Sequence, residues 1–318
     1  MNYNTPQLPV EIVDHIIRST IPDTNHLAYP ASDLTTKTLL AYLTVSKAAS
    51  QTARSLLYIH CLYIDTPWRL DLLLRRSSLR ASVSTIQRLY LSPFPGRTIR
   101  VRKVVNQIAE LFTILSSNLK RLVVDMPLRS HYPEEDVTDQ LRPILRKGFE
   151  QLVHLEEFCS IRDELYLACH VRALSPEVQA EFINGFVFQK WTKLRRLALY
   201  NQMLDSEFRT ALANMPNLDT VVLSRPDYDY DFRLNEVIAR FEDHVKVVIV
   251  DATDDAAQAG MRKLSTDTDS PQDTLSNAWK LEFLIRKNQD SISAVQEWSL
   301  QRMLEGELWT LPEHCDFT

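Results

Sequence analysis

The chain has 318 residues, 45% of them hydrophobic, enough for one large domain or two. Its five glycines, the closest pair 37 residues apart, exclude the dinucleotide fingerprint, the P-loop and the nucleophile elbow, which need nearby glycines to turn sharply or approach a phosphate. A net charge of −5, from 36 basic and 41 acidic residues, is too mild to signal a nucleic-acid partner. The charge is unevenly spread: residues 69–103 carry nine Lys/Arg and one acid, whereas 205–273 carry fifteen acids and seven bases. Four cysteines (Cys61, Cys159, Cys169, Cys315) make no disulfide framework in a chain of this length. The N-terminus lacks the basic and apolar regions of a signal peptide, and no apolar run reaches the ~18 residues that span a bilayer. The expected setting is intracellular, cytoplasmic or nuclear, with no membrane partner.

In chain order, Leu8-Pro9-Val10-Glu11-Ile12-Val13-Asp14-His15-Ile16-Ile17-Arg18 predicts a helix. Pro9 suits a first turn, Glu11 sits near the positive end of the dipole, and Ile12/Ile16 with Val13/Ile17 form an i, i+4 stripe. A polar loop follows Pro22. Residues 36–58 predict one or two helices, 57–64 a strand rich in β formers, and 68–79 a short helix.

From Ile86 the sequence repeats. Six segments share the spacing apolar-x-x-apolar-x-apolar, starting at Ile86, Leu119, Leu155, Leu194, Leu218 and Val245. The third is degenerate, with Ser160 at its last apolar position. The starts are 33, 36, 39, 24 and 27 residues apart, and the shorter two intervals match a leucine-rich repeat. In this spacing the alternating pair points to one side of a strand. Helical patterns at 99–117, 137–153, 176–191, 204–214 and 234–243 fill the intervals. The expectation is parallel strands containing Leu89, Leu122, Phe158, Leu197, Val221 and Val248 in that spatial order, with helices outside. After Val250, residues 251–276 predict a polar linker, and 276–305 an amphipathic helix that caps the stack.

Together these parts resemble a known family. Leu8-Pro9-x-Glu11-Ile12-x-x-x-Ile16 resembles the opening of an F-box, and Val45-Ser46-Lys47 … Ala53-Arg54-x-Leu56-Leu57-Tyr58 the ending common in fungal members. An F-box followed by irregular leucine-rich repeats is similar to the substrate receptors of cullin–RING (SCF-type) ubiquitin ligases. The resemblance implies an α/β chain with an F-box-like helical module (1–60), a curved leucine-rich-repeat-like solenoid (61–255), and a linker with a C-terminal helical cap (256–318). It implies an adaptor of Skp type with its cullin complex, contacted by Leu8, Pro9, Ile12, Ile16 and Val45. The chain departs from the family in a longer 22–38 loop, and in Ala49 where a bulky aromatic is usual.

No catalytic motif is present, and the reading is of a non-enzyme without metal or cofactor. Cys159, Cys169 and His170 match no zinc module, and Asp227-Tyr228-Asp229-Tyr230-Asp231 lacks the glycine and final glutamate of a calcium loop. Loops that follow strands are the candidates for holding a target protein: Arg129, His131 and Tyr132; Arg162, Asp163 and Glu164; Tyr200 and Asn201; and Asp227, Tyr228, Asp229 and Tyr230. Their mixed charge favours a protein over nucleic acid. A repeat-type interaction scaffold with no ligase role is the alternative.

Overall fold

The computed structural model describes residues 8–23, 25–75, 85–165, 167–169, 186–227, 244–265, 274–286 and 288–311. Three helices open the chain: α1 (Val10–Arg18), α2 (Leu34–Tyr42) and α3 (Lys47–His60). Asp33 and Ser46 cap α2 and α3, their side-chain oxygens accepting the N–H of Thr35 (2.7 Å) and Ala49 (3.1 Å). Ile17, Leu39, Ala49, Ala53 and Leu56 close a small core among the three helices. The sequence stripe on α1 is thereby divided: Ile17 points in, whereas Ile12 and Ile16 remain exposed.

Next come β1 (Tyr63–Ile64), α4 (Pro67–Arg75), β2 (Arg88–Leu91), α5 (Arg102–Leu115), β3 (Arg121–Val124), α6 (Leu141–Glu150) and β4 (Glu157–Ser160). They are followed by β5 (Arg196–Tyr200), α7 (Ser206–Ala213), β6 (Thr220–Ser224) and β7 (Lys246–Thr253). The last elements are β8 (Gly260–Ser265), β9 (Thr274–Leu284) and α8 (Ser291–Glu305). The described strands form one open nine-stranded sheet, ordered β1-β2-β3-β4-β5-β6-β7-β9-β8. All neighbours are parallel except β8 and β9. The expected order of the six repeated strands holds.

Register shows how the repeat works. Leu89, Leu122, Phe158, Leu197 and Val221 pair in one row, and with the last apolar residues of each strand they face a core filled from α5, α6 and α7. Gly148 lets α6 approach α5 closely, because a Cβ there would lie 3.3 Å from the Cα of Ala109. The row continues into Val247, not Val248, so the sixth segment is one residue out of the expected register. Ser160, the degenerate position, is buried and donates its hydroxyl to the Asp163 carbonyl, turning the chain out of β4.

The opposite face of the sheet is covered too. Tyr90, Val123, Cys159, Ala198, Val222, Val248, Val250 and Leu281 pack against Leu27, Ala28, Met303, Leu308, Trp309 and Leu311. The cover is therefore the α1–α2 loop together with α8 and the residues after it. A ladder of polar residues at the strand starts grips this cover. Arg88 donates to the His26 carbonyl (2.7 Å), Arg121 to Asn25 Oδ1 (2.9 Å), and Lys246 to the Trp309 carbonyl (3.0 Å). Glu157 accepts from Trp309 Nε1 (3.1 Å) and pairs with both Arg121 (2.5 Å) and Arg196 (3.0 Å). The Leu27 N–H donates to the Leu304 carbonyl (2.8 Å), joining the two parts of the cover.

Four expectations change. Residues 57–60 finish α3, because Leu56 and Tyr58 are buried on a helical face, which leaves only Tyr63–Ile64 as strand. The predicted linker contains β8, and 276–284 is strand rather than helix. Here Leu281, flanked by Trp279 and Phe283, packs on the covered face while Lys280 and Glu282 alternate with them and pair at 2.9 Å. The C-terminal helix lies across β6 and β7 instead of capping the end of the stack. The helices predicted at 176–191 and 234–243 fall largely or wholly outside the described residues, which show a 3₁₀ turn at Val187–Lys190.

Gly306 ends α8 at φ +80°, where a Cβ would collide with the Asn25 carbonyl. Gly306→Ala is expected to lower stability by about 1–3 kcal/mol through strain and displacement of the 25–29 loop. A thermal melt equal to wild type would contradict this closure of the cover.

Candidate docking surfaces

Two surfaces carry the residues singled out in the sequence. The first lies on the N-terminal helices. Leu8 (63% exposed), Ile12 (47%), Ile16 (41%) and Val45 (64%) all stand open to solvent, with Val10 and Leu40 exposed on the same helices. Pro9 is exposed as the N-cap residue of α1, one position before the predicted first turn, and its carbonyl accepts the N–H groups of Ile12 and Val13. These aliphatic side chains stand exposed on helices that already own a closed core, which makes them the candidate partner face. Sequence reasoning missed the groove beside it. About 370 Å³ of space lies between α1 and α3, lined by Val10, Val13, Ala48 and Ala49 and by the polar Glu11 and Thr52. Ala49, in place of a bulky aromatic, was its only sequence signal.

The second surface is the edge of the sheet at the C-terminal ends of the parallel strands. Arg129, Arg162, Tyr200 and Asp227 are brought together there; Tyr228, Asp229 and Tyr230 lie outside the described residues. Most of the charges meet one another. Arg162 forks onto Asp125 (2.7 and 3.2 Å), which also accepts from the Ser92 hydroxyl (3.2 Å). Arg129 faces Glu164 (3.6 Å), and its N–H donates to Asp163 (3.1 Å). Arg225 donates to the hydroxyl of the buried Tyr200 (3.4 Å). Gln296 of α8 donates to the Arg162 carbonyl (3.1 Å), tying the edge to the cover. Of the residues named here, Tyr132 (43% exposed), Met203 and Asp227 face solvent, alongside exposed charged neighbours such as Arg97, Glu134 and Asp254.

His131 is fully buried, so this candidate contact position is structural. It lies 3.1 Å from Asp136, which accepts the N–H groups of Leu141 and Arg142 (2.8 Å each) and so anchors the start of α6. The buried Arg142 donates to the carbonyls of Ala168 (2.5 Å), Leu128 (2.8 Å) and His131 (2.7 Å), bracing the same loop. Cys159 and Cys169 are buried; burial raises both thiols above the usual range, Cys169 to about 11. Among the described residues no group of three His, Cys, Asp or Glu is placed to hold a metal, and no helix is long and apolar enough to cross a membrane.

Compared with known proteins, the chain matches no family model and no curated protein.

Burial raises the Asp163 carboxyl above its usual range, against the pull of the Arg129 N–H and the charges of Arg129 and Arg162, and raises Glu164 in the same way. A carboxyl raised by folding opposes the fold above its folded pKa and has no effect below its unfolded value. Asp163→Asn keeps an oxygen for the Arg129 N–H. It is expected to raise the melting temperature at neutral pH, with the gain vanishing below about pH 4. A variant that melts at or below wild type at neutral pH would contradict this.

Proposed function

We propose that this chain is the substrate receptor of a cullin–RING (SCF-type) ubiquitin ligase. In this reading α1–α3 form an F-box-like module that docks on a Skp-type adaptor through Leu8, Pro9, Ile12, Ile16 and Val45. The parallel strands and their helices form an irregular leucine-rich-repeat-like unit that holds a target protein at its C-terminal edge. Ubiquitin transfer belongs to the partners, and this chain contributes position, bringing the target close to the transfer machinery.

The observation that carries the reading is the split of α1. Its inward residues complete a core, and among its outward residues Val10, Ile12 and Ile16 are apolar and exposed without serving the fold. An exposed apolar helix face fits helix-type docking with spaced anchors. Placing the target at the edge is supported by the cover on the opposite face, which occupies the surface a curved sheet would otherwise present.

The test is Ile12→Asp combined with Ile16→Asp. Both positions are exposed, so the melt is expected to stay at the wild-type value. Two carboxylates desolvated without partners cost several kcal/mol, of order the binding energy of a modest complex, so co-purification with the adaptor is expected to be lost. Retained co-purification would contradict the docking face, and loss of folding would place these isoleucines in the core.

A further inference from the structure

The groove between α1 and α3 adjoins the exposed apolar face, and Val10 belongs to both. Its volume, about 370 Å³, falls within the range of small-ligand pockets. The floor is aliphatic: Val13, Ile17 and the buried Ala49. The rim is acidic. Glu11 stands in the first turn of α1, exposed, and makes no ion pair among the described residues. Asp14 bridges the two helices by accepting the Thr52 hydroxyl (2.7 Å), and its other oxygen pairs with the exposed Arg18 (2.7 Å). These hydrogen bonds, that of Arg18 above all, hold the Asp14 carboxyl below its usual range.

This combination selects among side chains. An aliphatic or aromatic group would fill the floor but strip water from the Glu11 carboxylate without replacing it. An acidic group would meet like charge. A lysine or arginine satisfies both parts, its methylene stem on the floor and its cationic head on Glu11, since Asp14 already accepts from Thr52 and Arg18. We propose that the groove receives a lysine or arginine side chain of the docked adaptor, so that Glu11 selects the partner while Ile12 and Ile16 supply apolar contact. The proposal rests on the reading of α1–α3 as an adaptor-docking module.

The experiment titrates the full-length chain with purified Skp-type adaptor from the same source, at low and at moderate salt, and records a melt for each variant. Ala48 is exposed and lines the groove, so Ala48→Phe fills it from outside without entering the core. Glu11→Gln removes the charge and keeps the shape. Each variant is expected to weaken binding about tenfold, the loss of roughly one charge-assisted hydrogen bond, with unchanged melts. Glu11→Gln is also expected to flatten the salt dependence of the affinity. If Ala48→Phe weakens binding and Glu11→Gln does not, the occupant is uncharged and the proposal is overturned. If both variants bind like wild type while the Ile12/Ile16 double variant does not, the groove stays empty and only the docking face survives. If wild type does not bind the adaptor, the docking reading fails and this proposal fails with it.

Discussion

Everything in this molecule depends on how the second face of its sheet is kept dry. A parallel sheet whose strands are apolar on both sides must be covered on both sides. Helices α5, α6 and α7 cover one. The other is covered by two segments nearly three hundred residues apart in sequence, the loop around Leu27 and the tail around Trp309. Burying a large apolar side chain contributes about 1.5–3 kcal/mol, whereas a largely buried ion pair such as Arg121–Glu157 loses most of its Coulombic gain to desolvation. On that scale Leu27, Met303, Leu308 and Trp309 hold the cover down. The polar ladder of Arg88, Arg121, Glu157 and Lys246 contributes less energy, but it sets the register by matching carbonyls and an indole N–H at defined strand starts.

The same constraint explains the length of the link between α1 and α2. A tight turn would suffice for three packed helices alone. This loop also has to reach the sheet, where Asn25 meets Arg121 and His26 meets Arg88. The helical module and the sheet are thereby joined through side chains as well as through the chain between them. The outer side of α1 with the α2–α3 link, and parts of the strand-end loops, remain open. In the proposed receptor role such a joint would fix the distance and angle between the two candidate surfaces.

The repeated strands were legible because a buried residue begins each segment and an alternating pair follows it, and neither feature depends on distant parts of the chain. The apolar residues of α1 were legible for a similar reason. Their spacing marks a helix face, and only the structure tells Ile16, facing out, from Ile17, facing in. The register at Val247 was not legible, since valines occupy both candidate positions and both faces of β7 are buried. Strand β9 was misread because Trp279 and Phe283 satisfy i, i+4 spacing as well as alternation. The cover itself left almost no local trace. Arg88, Arg121 and Glu157 look like ordinary solvent-facing positions until Asn25, His26 and Trp309 are placed above them, and the charges near Arg129 and Arg162 proved largely committed to each other.

The most direct measurement is hydrogen–deuterium exchange of the full-length chain, alone and with the Skp-type adaptor. Exchange reports local opening, so surfaces that fold without a partner separate from those that need one. A covered sheet predicts slow exchange across 295–309 in both samples, because Val295, Met303, Leu308 and Trp309 are core. The proposed docking face predicts slowing on adaptor addition confined to 10–18 and 45–52. Rapid exchange across 295–309 in the free chain would contradict the covered sheet, and adaptor-dependent slowing centred elsewhere would contradict the assignment of the docking face.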